Sequence, residues 1–307
     1  MSIFEFLDMA PRKDNKVTQL VKHWDEVSDK HKGPEKTFGL QVKKDGVCSL
    51  TVIRDGEVAI FSRTGKEFTN TTELLHAISS LNLRDGVYMG EMTCDMVSLE
   101  KLSGIVNPKR VKPLDFLQKN VADYGLEMNF FDLISIESFI EGASQTPYSR
   151  RFFNLVNRLQ SVFPCDTISV LPVHFDCKGN FFQEQVDDGE EGIVIIDMDA
   201  GWEAGHKGWR KMKKVRGVDY DLTCIGVEEG TGKYAGKVAN LIFNWKDGKT
   251  IKAMLGKGWT HDDAAYFFTN PPIGALFQVY ALEESSKGKL RLPKVGEKRH
   301  DKVEADV

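Results

Sequence analysis

Residues 38–66 read FGLQVKKDGVCSLTVIRDGEVAIFSRTGK, and this stretch decides the fold. Alternating apolar runs are interrupted by Asp-Gly pairs at 45–46 and 55–56. The second pair lies between two such runs, which is a strong signal for a β-hairpin. The stretch therefore predicts a series of strands that begins at Phe38, with Lys43 at the end of the first strand.

Strand and helix patterns continue outward from this stretch. Before it, residues 17–32 (VTQLVKHWDEVSDKHK) are charged and mildly helical. After it, Asn70 and Glu73 resemble a capping box that opens a helix over TELLHAISSL. Apolar periodicity predicts strands in GVYMGEMTC, LEMNFFDLISI, ISVLPVHF and EGIVIID, and helices in PLDFLQKNVADYG and SRRFFNLVNRLQSVF.

The texture of the sequence changes after Val215. Strand-like runs alternate with a Gly-rich turn and an Asp-Gly turn, and the helical segment HDDAAYFF, a last long strand GALFQVYALEE and a basic tail follow. About five short strands with one helix are typical of a small β-barrel of the OB type. We therefore predict two domains, residues 1–216 and 217–307.

Composition excludes several classes of protein. The 307 residues are 41% apolar and 28% charged, a balance that excludes wholesale disorder. No apolar run approaches a membrane span, and the first residues lack a signal-peptide pattern. Five cysteines without CxxC spacing argue against a disulfide framework and a zinc finger. We expect a cytoplasmic protein with no membrane partner.

The net charge of −4 gives only weak information about a nucleic-acid partner. Phosphate binding depends on a local basic surface and not on the sign of the total charge. Residues 205–216, GHKGWRKMKKVR, hold six Lys or Arg and no acid, and predict such a surface. A solvated basic edge strand is the alternative.

Lys43 is the first candidate for chemistry, because it precedes a carboxylate, Asp45, and a turn glycine, Gly46. A lysine amine attacks only in its neutral form, so burial or nearby positive charge must favour that form. Taken alone, the tetrapeptide is more often a polar hairpin turn. The segments that follow it in order decide between the two interpretations.

Six further segments follow Lys43-Lys44-Asp45-Gly46 along the chain. They are Ser62-Arg63-Thr64-Gly65-Lys66, Gly90-Glu91, Phe131-Asp132, Glu191-Gly192-Ile193-Val194-Ile195, Lys211-Met212-Lys213 and Arg299-His300-Asp301-Lys302. In order and approximate spacing, the series resembles the motif signature of the covalent nucleotidyltransferases, which comprise DNA ligases, RNA ligases and mRNA-capping guanylyltransferases. Within that superfamily, GWRKMK, GTGK and GKLRLP (from residues 208, 230 and 288) resemble the small ATP-dependent DNA ligases of bacteriophages.

The resemblance implies an α+β fold, with a nucleotidyltransferase (adenylation) domain of antiparallel sheets and flanking helices, followed by an OB-fold barrel. It implies a monomeric enzyme of DNA replication, repair and recombination that seals nicks in double-stranded DNA with ATP and Mg²⁺ or Mn²⁺. By this resemblance, Lys43 attacks the α-phosphate of ATP. AMP then passes to the 5′-phosphate of the nick, and the 3′-hydroxyl expels it.

The same resemblance assigns roles to other residues. Asp45, Lys211 and Lys213 complete the catalytic set. Glu191 and Glu91 are the candidate metal ligands, and an edge residue facing water is the alternative for either one. Residues implied to bind ATP or AMP beside Lys43 are Gln41, Val42, Ser62, Arg63, Glu91, Phe131, Val194, Lys207, Lys211, Lys213, Arg299 and Lys302.

Some of these positions carry an alternative or depart from the family pattern. Phe131 is the candidate for stacking on adenine, and a plain core aromatic is the alternative. Gln41 stands where many ligases have a glutamate that reads the adenine amino group, and its carbonyl can accept the same hydrogen bond. Cys48 and Ile196 stand where an arginine and a lysine are usual. The cations that would compensate are Arg63, Lys207 and Arg210.

The candidate DNA contacts lie in both domains. Arg63 is the candidate for the 5′-phosphate of the nick, because a guanidinium fork matches phosphate geometry. The other candidates are Lys44, Arg210, Lys214, Arg216, Lys287, Lys289, Arg291 and Lys294. Three alternatives stay open: a guanylyltransferase, which shares the first and last segments; an RNA ligase; and a non-catalytic protein that binds nicks.

Overall fold

The computed structural model describes residues 1–13, 16–160, 167–176, 179–256, 258–285 and 288–307. They form two compact units, Met1–Lys214 and Val215–Val307. The strands are β1 (Leu20–His23), β2 (Phe38–Val42), β3 (Val47–Arg54), β4 (Glu57–Ser62), β5 (Gly86–Thr93), β6 (Glu127–Ile134), β7 (Ala143–Ser144), β8 (Ile168–Val170), β9 (Gly192–Asp197), β10 (Trp202–Glu203), β11 (Lys207–Val215), β12 (Val218–Glu229), β13 (Val238–Asn244), β14 (Thr250–Leu255), β15 (Leu276–Ala281) and β16 (Lys294–Lys298). The helices are α1 (Ile3–Phe6), α2 (Thr72–Ser80), α3 (Leu99–Ile105), α4 (Phe116–Tyr124), α5 (Ile136–Glu141), α6 (Tyr148–Leu159), α7 (Phe181–Asp187) and α8 (His261–Thr269). Across these described ranges, every helix is too short or too polar to cross a bilayer.

The stretch 38–62 forms the predicted strands, but they are divided between two sheets of the first unit. β2 is the edge of a four-stranded sheet in the order β1-β11-β9-β2, whereas β3 and β4 belong to a five-stranded sheet in the order β4-β3-β5-β6-β8. The chain therefore passes from one sheet to the other at residues 43–46. The hairpin at 55–56 is confirmed, because Asp55 and Gly56 have φ of 52° and 83°, as a type I′ turn requires.

The five-stranded sheet is covered by apolar side chains on both faces. Leu50 and Val52 of β3 pack in a cluster with α1 and α5, whereas Ile53 packs in a second cluster with α2, α3, α4 and α6. Alternation of side chains along a strand explains the division. Because both faces are buried, the ends of the strands, where functional residues lie, are held by a packed core.

The second unit closes into the predicted barrel, with the strand order β12-β13-β14-β16-β15. Its core contains Leu222, Phe243, Phe277 and Val295, all fully buried. α8 begins with a capping box between Thr260 and residue 263. Closure leaves this small sheet without an exposed edge.

Three predictions of local structure are wrong. Residues 17–32 contain β1 and two short 3₁₀ turns where a helix was predicted, because residues 20–23 pair in parallel with β11.

The predicted capping box of α2 is also absent at Asn70. The N-cap of α2 is Thr71, while Asn70 has φ of 57° and donates Nδ2 to the Ile105 carbonyl at 2.7 Å. The segment predicted as a basic tail contains β16, which closes the barrel.

Candidate active site

Lys43 follows β2, where the chain leaves the four-stranded sheet. The antiparallel register pairs Val42 with Ile193, and the Lys43 amide donates to the Gly192 carbonyl at 2.8 Å. The Lys43 ammonium donates to Glu191 Oε2 at 2.5 Å. The two side chains are 20% and 8% exposed, so water screens this pair less than it screens a surface ion pair.

Lys44 forms a second ion pair beside the first. Its ammonium donates to Glu190 Oε1, and the two side chains are 34% and 24% exposed. Two adjacent lysines therefore contact two adjacent glutamates, and only the Lys43–Glu191 pair is largely shielded from solvent. Lys44, a predicted DNA contact, is held by a carboxylate of its own unit.

Glu91 belongs to the same electrostatic environment. It lies opposite Cys48 in the register of β3 and β5. Burial raises the pKa of the Glu91 carboxyl to about 7; Lys43 and Lys211 lower it, and Glu191 raises it further. The structure thus brings together the predicted nucleophile, both predicted metal ligands and one of the two predicted phosphate-binding lysines.

Lys211 reaches this site beside an irregularity in β11. Val21 of β1 lies opposite Gly208, but the next residue, Lys22, lies opposite Met212, so residues 209–211 are extra on β11. Such bulges redirect side chains. Lys211 Nζ lies 3.8 Å from the centroid of the Phe131 ring, in a cation–π contact. Burial lowers the pKa of Lys211, and the Asp132 carboxylate opposes that shift.

A buried ion pair between Asp132 and Arg151 holds the segment that contains Phe131. Arg151 Nε and Nη2 donate to the two carboxylate oxygens at 2.9 and 3.0 Å. The Nη1 of the same guanidinium donates to two backbone carbonyls at 2.6 and 3.2 Å. One turn earlier on α6, Tyr148 donates its hydroxyl to the Phe131 carbonyl at 2.6 Å. Helix α6 therefore fixes both residues of the Phe131-Asp132 segment.

The Arg151–Asp132 ion pair was not predicted from the sequence, although the pattern of α6 indicates it. The buried residues of α6 are Tyr148, Arg151, Leu155 and Leu159, so an arginine occupies the apolar stripe of an amphipathic helix. A buried arginine requires a carboxylate or several carbonyl partners. Arg151 thus predicts a buried acid on a neighbouring element.

Gln41 and Val194 face each other in the register of β2 and β9. Gln41 is buried, and its Nε2 donates to the Leu171 carbonyl at 2.9 Å. The Tyr148 hydroxyl also interacts with the Gln41 side chain. The amide of Gln41 is therefore oriented by residues from two other segments. Val42, a predicted nucleotide contact, is half-buried beside it.

Of the two departures from the family pattern, Cys48 is partly buried and Ile196 is buried. Burial, assisted by Glu91, raises the pKa of the Cys48 thiol to about 12, so it stays protonated; Arg63 lies close enough to oppose the shift. Ile196 packs against Tyr148 and is 2% exposed. Arg63 itself is exposed, directly after Ser62, the last residue of β4.

The other predicted cations of the first unit contact neighbouring side chains or are exposed to solvent. Arg210 Nη2 lies 3.0 Å from Glu203, and Lys214 Nζ lies 4.3 Å from the centroid of the Phe182 ring. Lys207 is exposed at the start of β11, and Lys213 is half-buried near its end. Asp45 is exposed in the turn after Lys43.

In the second unit, Asp221 binds both cations of the Arg299–Lys302 segment. Its side chain is 4% exposed and accepts a hydrogen bond from Arg299 Nη1 at 3.1 Å and another from the Lys302 ammonium. Arg299 also donates to both oxygens of Asp301 at 2.9 and 2.7 Å. These bonds raise the pKa of Arg299 and lower that of Asp301.

Two of the remaining predicted DNA contacts of this unit bind Glu283. Arg216 Nη2 donates to Glu283 Oε2 at 2.6 Å, and Arg291 Nη1 donates to the other carboxylate oxygen. Lys289 and Lys294 are exposed, while Lys287 lies outside the described residues. Over the part of the chain that the structure describes, no three His, Cys, Asp or Glu gather as a metal centre.

The fold and the paired Lys43 and Glu191 define a nucleotidyltransferase core that is followed by an OB barrel. The ATP dependent DNA ligase domain matches residues 17–213, and the DNA ligase OB-like domain matches residues 229–299. These matches cover most of the sequence. The chain belongs to the ATP-dependent DNA ligase family.

Individual relatives agree with this assignment. The chain is 27% identical over 226 residues to a probable DNA ligase of Streptomyces griseus, over 71% of this chain and 43% of that protein. It is 25% identical over 250 residues to a DNA ligase of Thermococcus fumicolans, over 76% of this chain and 43% of that protein. The chain thus spans less than half the length of these relatives.

Solved structures share the fold. One named Pmar-Lig_Pre matches with a TM-score of 0.75 and 23% identity, over 94% of this chain and 68% of that one. A structure from a study of minimal-scaffold Lig E DNA ligases matches at 0.66 with 17% identity, over 92% and 98%. The ATP-dependent DNA ligase of bacteriophage T7, in complex with ATP, matches at 0.53 with 16% identity, over 93% and 99%.

Proposed function

We propose that this chain seals nicks in duplex DNA with ATP as the source of AMP. The proposal depends most on one observation, the contact of the Lys43 ammonium with Glu191. Glu91 and Lys211 lie close enough to share the electrostatics of this pair, and Lys211 contacts the Phe131 ring. An amine nucleophile, carboxylates that can take its proton or hold a metal ion, and a second cation are groups that serve displacement at phosphorus. The aromatic ring offers a face on which a base can stack.

In the first step, Lys43 Nζ attacks the α-phosphorus of ATP. An N–P bond forms as the P–O bond to diphosphate breaks, and diphosphate leaves. The amine must lose a proton in this step, and Glu191, which already accepts a hydrogen bond from it, is positioned to take that proton. Lys211 offers positive charge to the phosphate, and Phe131 offers a ring face to adenine.

In the second step, an oxygen of the nick's 5′-phosphate attacks the phosphorus of the lysine–AMP, and the N–P bond breaks. In the third, the 3′-hydroxyl attacks the activated 5′-phosphate, a phosphodiester bond forms, and AMP leaves. Each step is a displacement at phosphorus, so positioning and cations supply most of the catalysis. Arg63, exposed at the end of β4, is our candidate for holding the 5′-phosphate.

The residues present fit a divalent cation. Glu91 and Glu191 are close enough for each charge to affect the other, and Mg²⁺ or Mn²⁺ is commonly bound by one or two carboxylates together with substrate phosphates. Glu191 and Glu91 would hold such an ion, which would neutralise charge on the phosphates. Lys43 and Lys211 contribute to the same neutralisation.

The proposal extends to the finer assignments. Domains 1–216 and 217–307 would act as adenylation and OB domains, in a monomer that binds nicked DNA. Gln41, with its amide nitrogen directed to Leu171, would accept a hydrogen bond from the adenine amino group. Arg299 and Lys302 would contact phosphates of ATP only after exchanging Asp221 for phosphate oxygens.

Two assays test the proposal. Incubation with ATP and Mg²⁺ should add the mass of AMP to the intact chain, and the adduct should then seal a nicked DNA duplex. An adduct with GTP alone would favour a guanylyltransferase, and sealing of nicked RNA but not nicked DNA would favour an RNA ligase. Binding to nicks without any adduct would indicate a non-catalytic protein.

A further inference from the structure

The segment of chain that connects β5 to β6 carries a basic and partly apolar surface. We define this 109–119 surface by Lys109, Val111, Lys112, Phe116 and Lys119. Val111 and Phe116 are 93% and 92% exposed, and all three lysines are exposed. Among the residues that the structure describes, none of the three lysines has a carboxylate partner. The surface therefore presents three ammonium groups beside apolar side chains, without an ion-pair partner in the described residues, and its one carboxylate, Asp115, caps α4.

Several cations predicted to contact DNA, in contrast, already form ion pairs with carboxylates of the same unit. Lys44 is paired with Glu190, and Arg210 is paired with Glu203. A paired cation must lose its carboxylate before it can neutralise a phosphate, which reduces its net contribution to binding. The lysines of the 109–119 surface carry no such cost.

The 109–119 surface is also held rigidly. The Arg110 guanidinium donates to the carbonyls of Gly104, Lys112 and Pro113 at 2.9, 2.8 and 3.1 Å. It donates in addition to Gln118 Oε1 at 2.7 Å. One side chain thus fixes the backbone on both sides of Val111. A surface that is ordered before binding loses less entropy when a ligand arrives.

The segment that carries the surface is anchored to the five-stranded sheet. Residues 94–126 leave the sheet after Thr93 and return at Glu127, and these two residues pair at the same end of the sheet as Glu91. Thr69 donates its hydroxyl to the Asn107 carbonyl at 2.9 Å, which ties the segment to the loop that follows Arg63. The backbone amides of Ser62 and Phe68 donate to the carbonyls of Lys66 and Ile60, so the chain turns back along β4 before it reaches Thr69. The contact therefore anchors the segment to the edge of the sheet formed by β4.

We propose that the 109–119 surface binds the sugar–phosphate backbone of the nicked duplex. The inference rests on the proposed function and adds to it a contact surface for DNA. The lysines supply the positive charge that a polyanion attracts, and Phe116 and Val111 contact sugars or the minor groove. A DNA occupant is favoured over an acidic protein because the surface lies within the part of the chain that matches the ATP dependent DNA ligase domain.

The first test measures the affinity for a nicked duplex at several salt concentrations. Compared with the unsubstituted chain, K109A/K112A should bind about tenfold or more weakly, and the slope of log K against log salt should fall in magnitude by about two. The matched control K13A/K30A removes two exposed lysines from elsewhere in the same unit and should change neither quantity.

A second variant and a second readout separate the possible failures. F116A should weaken binding without changing the salt slope, because it removes no charge. Formation of the AMP adduct with ATP alone should be unchanged in K109A/K112A and F116A. If the unsubstituted chain forms no adduct, the proposed function fails. If it forms the adduct and K109A/K112A and F116A bind the nick as it does, the 109–119 surface serves another partner and our inference is overturned.

Discussion

Lys43 Nζ lies 2.5 Å from Glu191 Oε2, although the two residues are 148 positions apart in the sequence. The contact exists because β2 and β9 pair antiparallel, so that Lys43, directly after the end of β2, lies beside Glu191, directly before the start of β9. Each partner has a neighbour of its own type, Lys44 and Glu190, and those neighbours form a more exposed ion pair. The chain therefore contains matched controls for the chemistry of its central pair.

Lys43→Ala should abolish the covalent AMP adduct, because no other group of the site would replace its amine as the nucleophile. Lys44→Ala removes the same amine one residue later and should leave the adduct intact. Intact-mass spectrometry after incubation with ATP and Mg²⁺ measures both. An adduct that persists in Lys43→Ala would place the nucleophile elsewhere.

Glu191→Gln should slow adduct formation by roughly 10²-fold or more, because an amide neither accepts the proton of Lys43 nor carries charge for a cation. Glu190→Gln should have an effect of less than about threefold, since its partner Lys44 is outside the proposed chemistry. Single-turnover adenylation with labelled ATP gives both rates. Equal losses in the two variants would contradict the special role of Glu191.

Arg151→Met should lower the free energy of unfolding by about 3–5 kcal/mol, because it leaves the Asp132 carboxylate buried without its partner. Arg150→Met, on the exposed side of the same helix, should change it by less than about 1 kcal/mol. Urea titration monitored by circular dichroism measures the difference. The double variant R151M/D132L should recover part of the loss, and an equally unstable double variant would argue against the unpaired charge as the cause.

Glu91→Gln should stabilise the chain at alkaline pH. The pKa of Glu91 is raised from 4.5 to about 7 in the fold, so its contribution to stability is full below 4.5 and is lost as the pH rises to 7. The variant, which carries no charge there, should be more stable than the unsubstituted chain at pH 8 by about 1–3 kcal/mol.

The same comparison at pH 4.5 should show almost no difference, since Glu91 is then protonated in the folded chain. Urea unfolding of both proteins at the two pH values checks this dependence. A stability difference that does not change with pH would mean that the carboxyl titrates normally in the fold.

Local patterns predicted most of the elements that are independent of distant partners. The hairpin at 55–56, helix α2 and the strands around Lys43 follow from alternation, Asp-Gly pairs and apolar spacing. Residues 20–23 were misjudged because a parallel partner, β11, determines their conformation. α3, α5 and α7, each of six or seven residues, carry too few turns to show a period, and they were not predicted.

In the candidate site too, local motifs predicted some features, and contacts between distant residues were not predicted. The ordered motifs identified Lys43, Glu91, Phe131, Glu191 and Lys211, and the structure brings these residues together. The clamp of Asp132 by Arg151 was not predicted, because the partners lie on different elements and only the fold shows which acid the arginine meets.

The sequence by itself determined the family, the reactive residue types and most strands, because these depend on residue order and on local spacing. Tertiary structure alone decided which charges meet: Lys43 with Glu191, Lys44 with Glu190, and Asp221 with both Arg299 and Lys302. It also decided that Lys109, Lys112 and Lys119 present their charge without a carboxylate partner in the described part of the chain. The physical reason is that Coulomb energy depends on distance and burial, and neither quantity is fixed until the strands have paired.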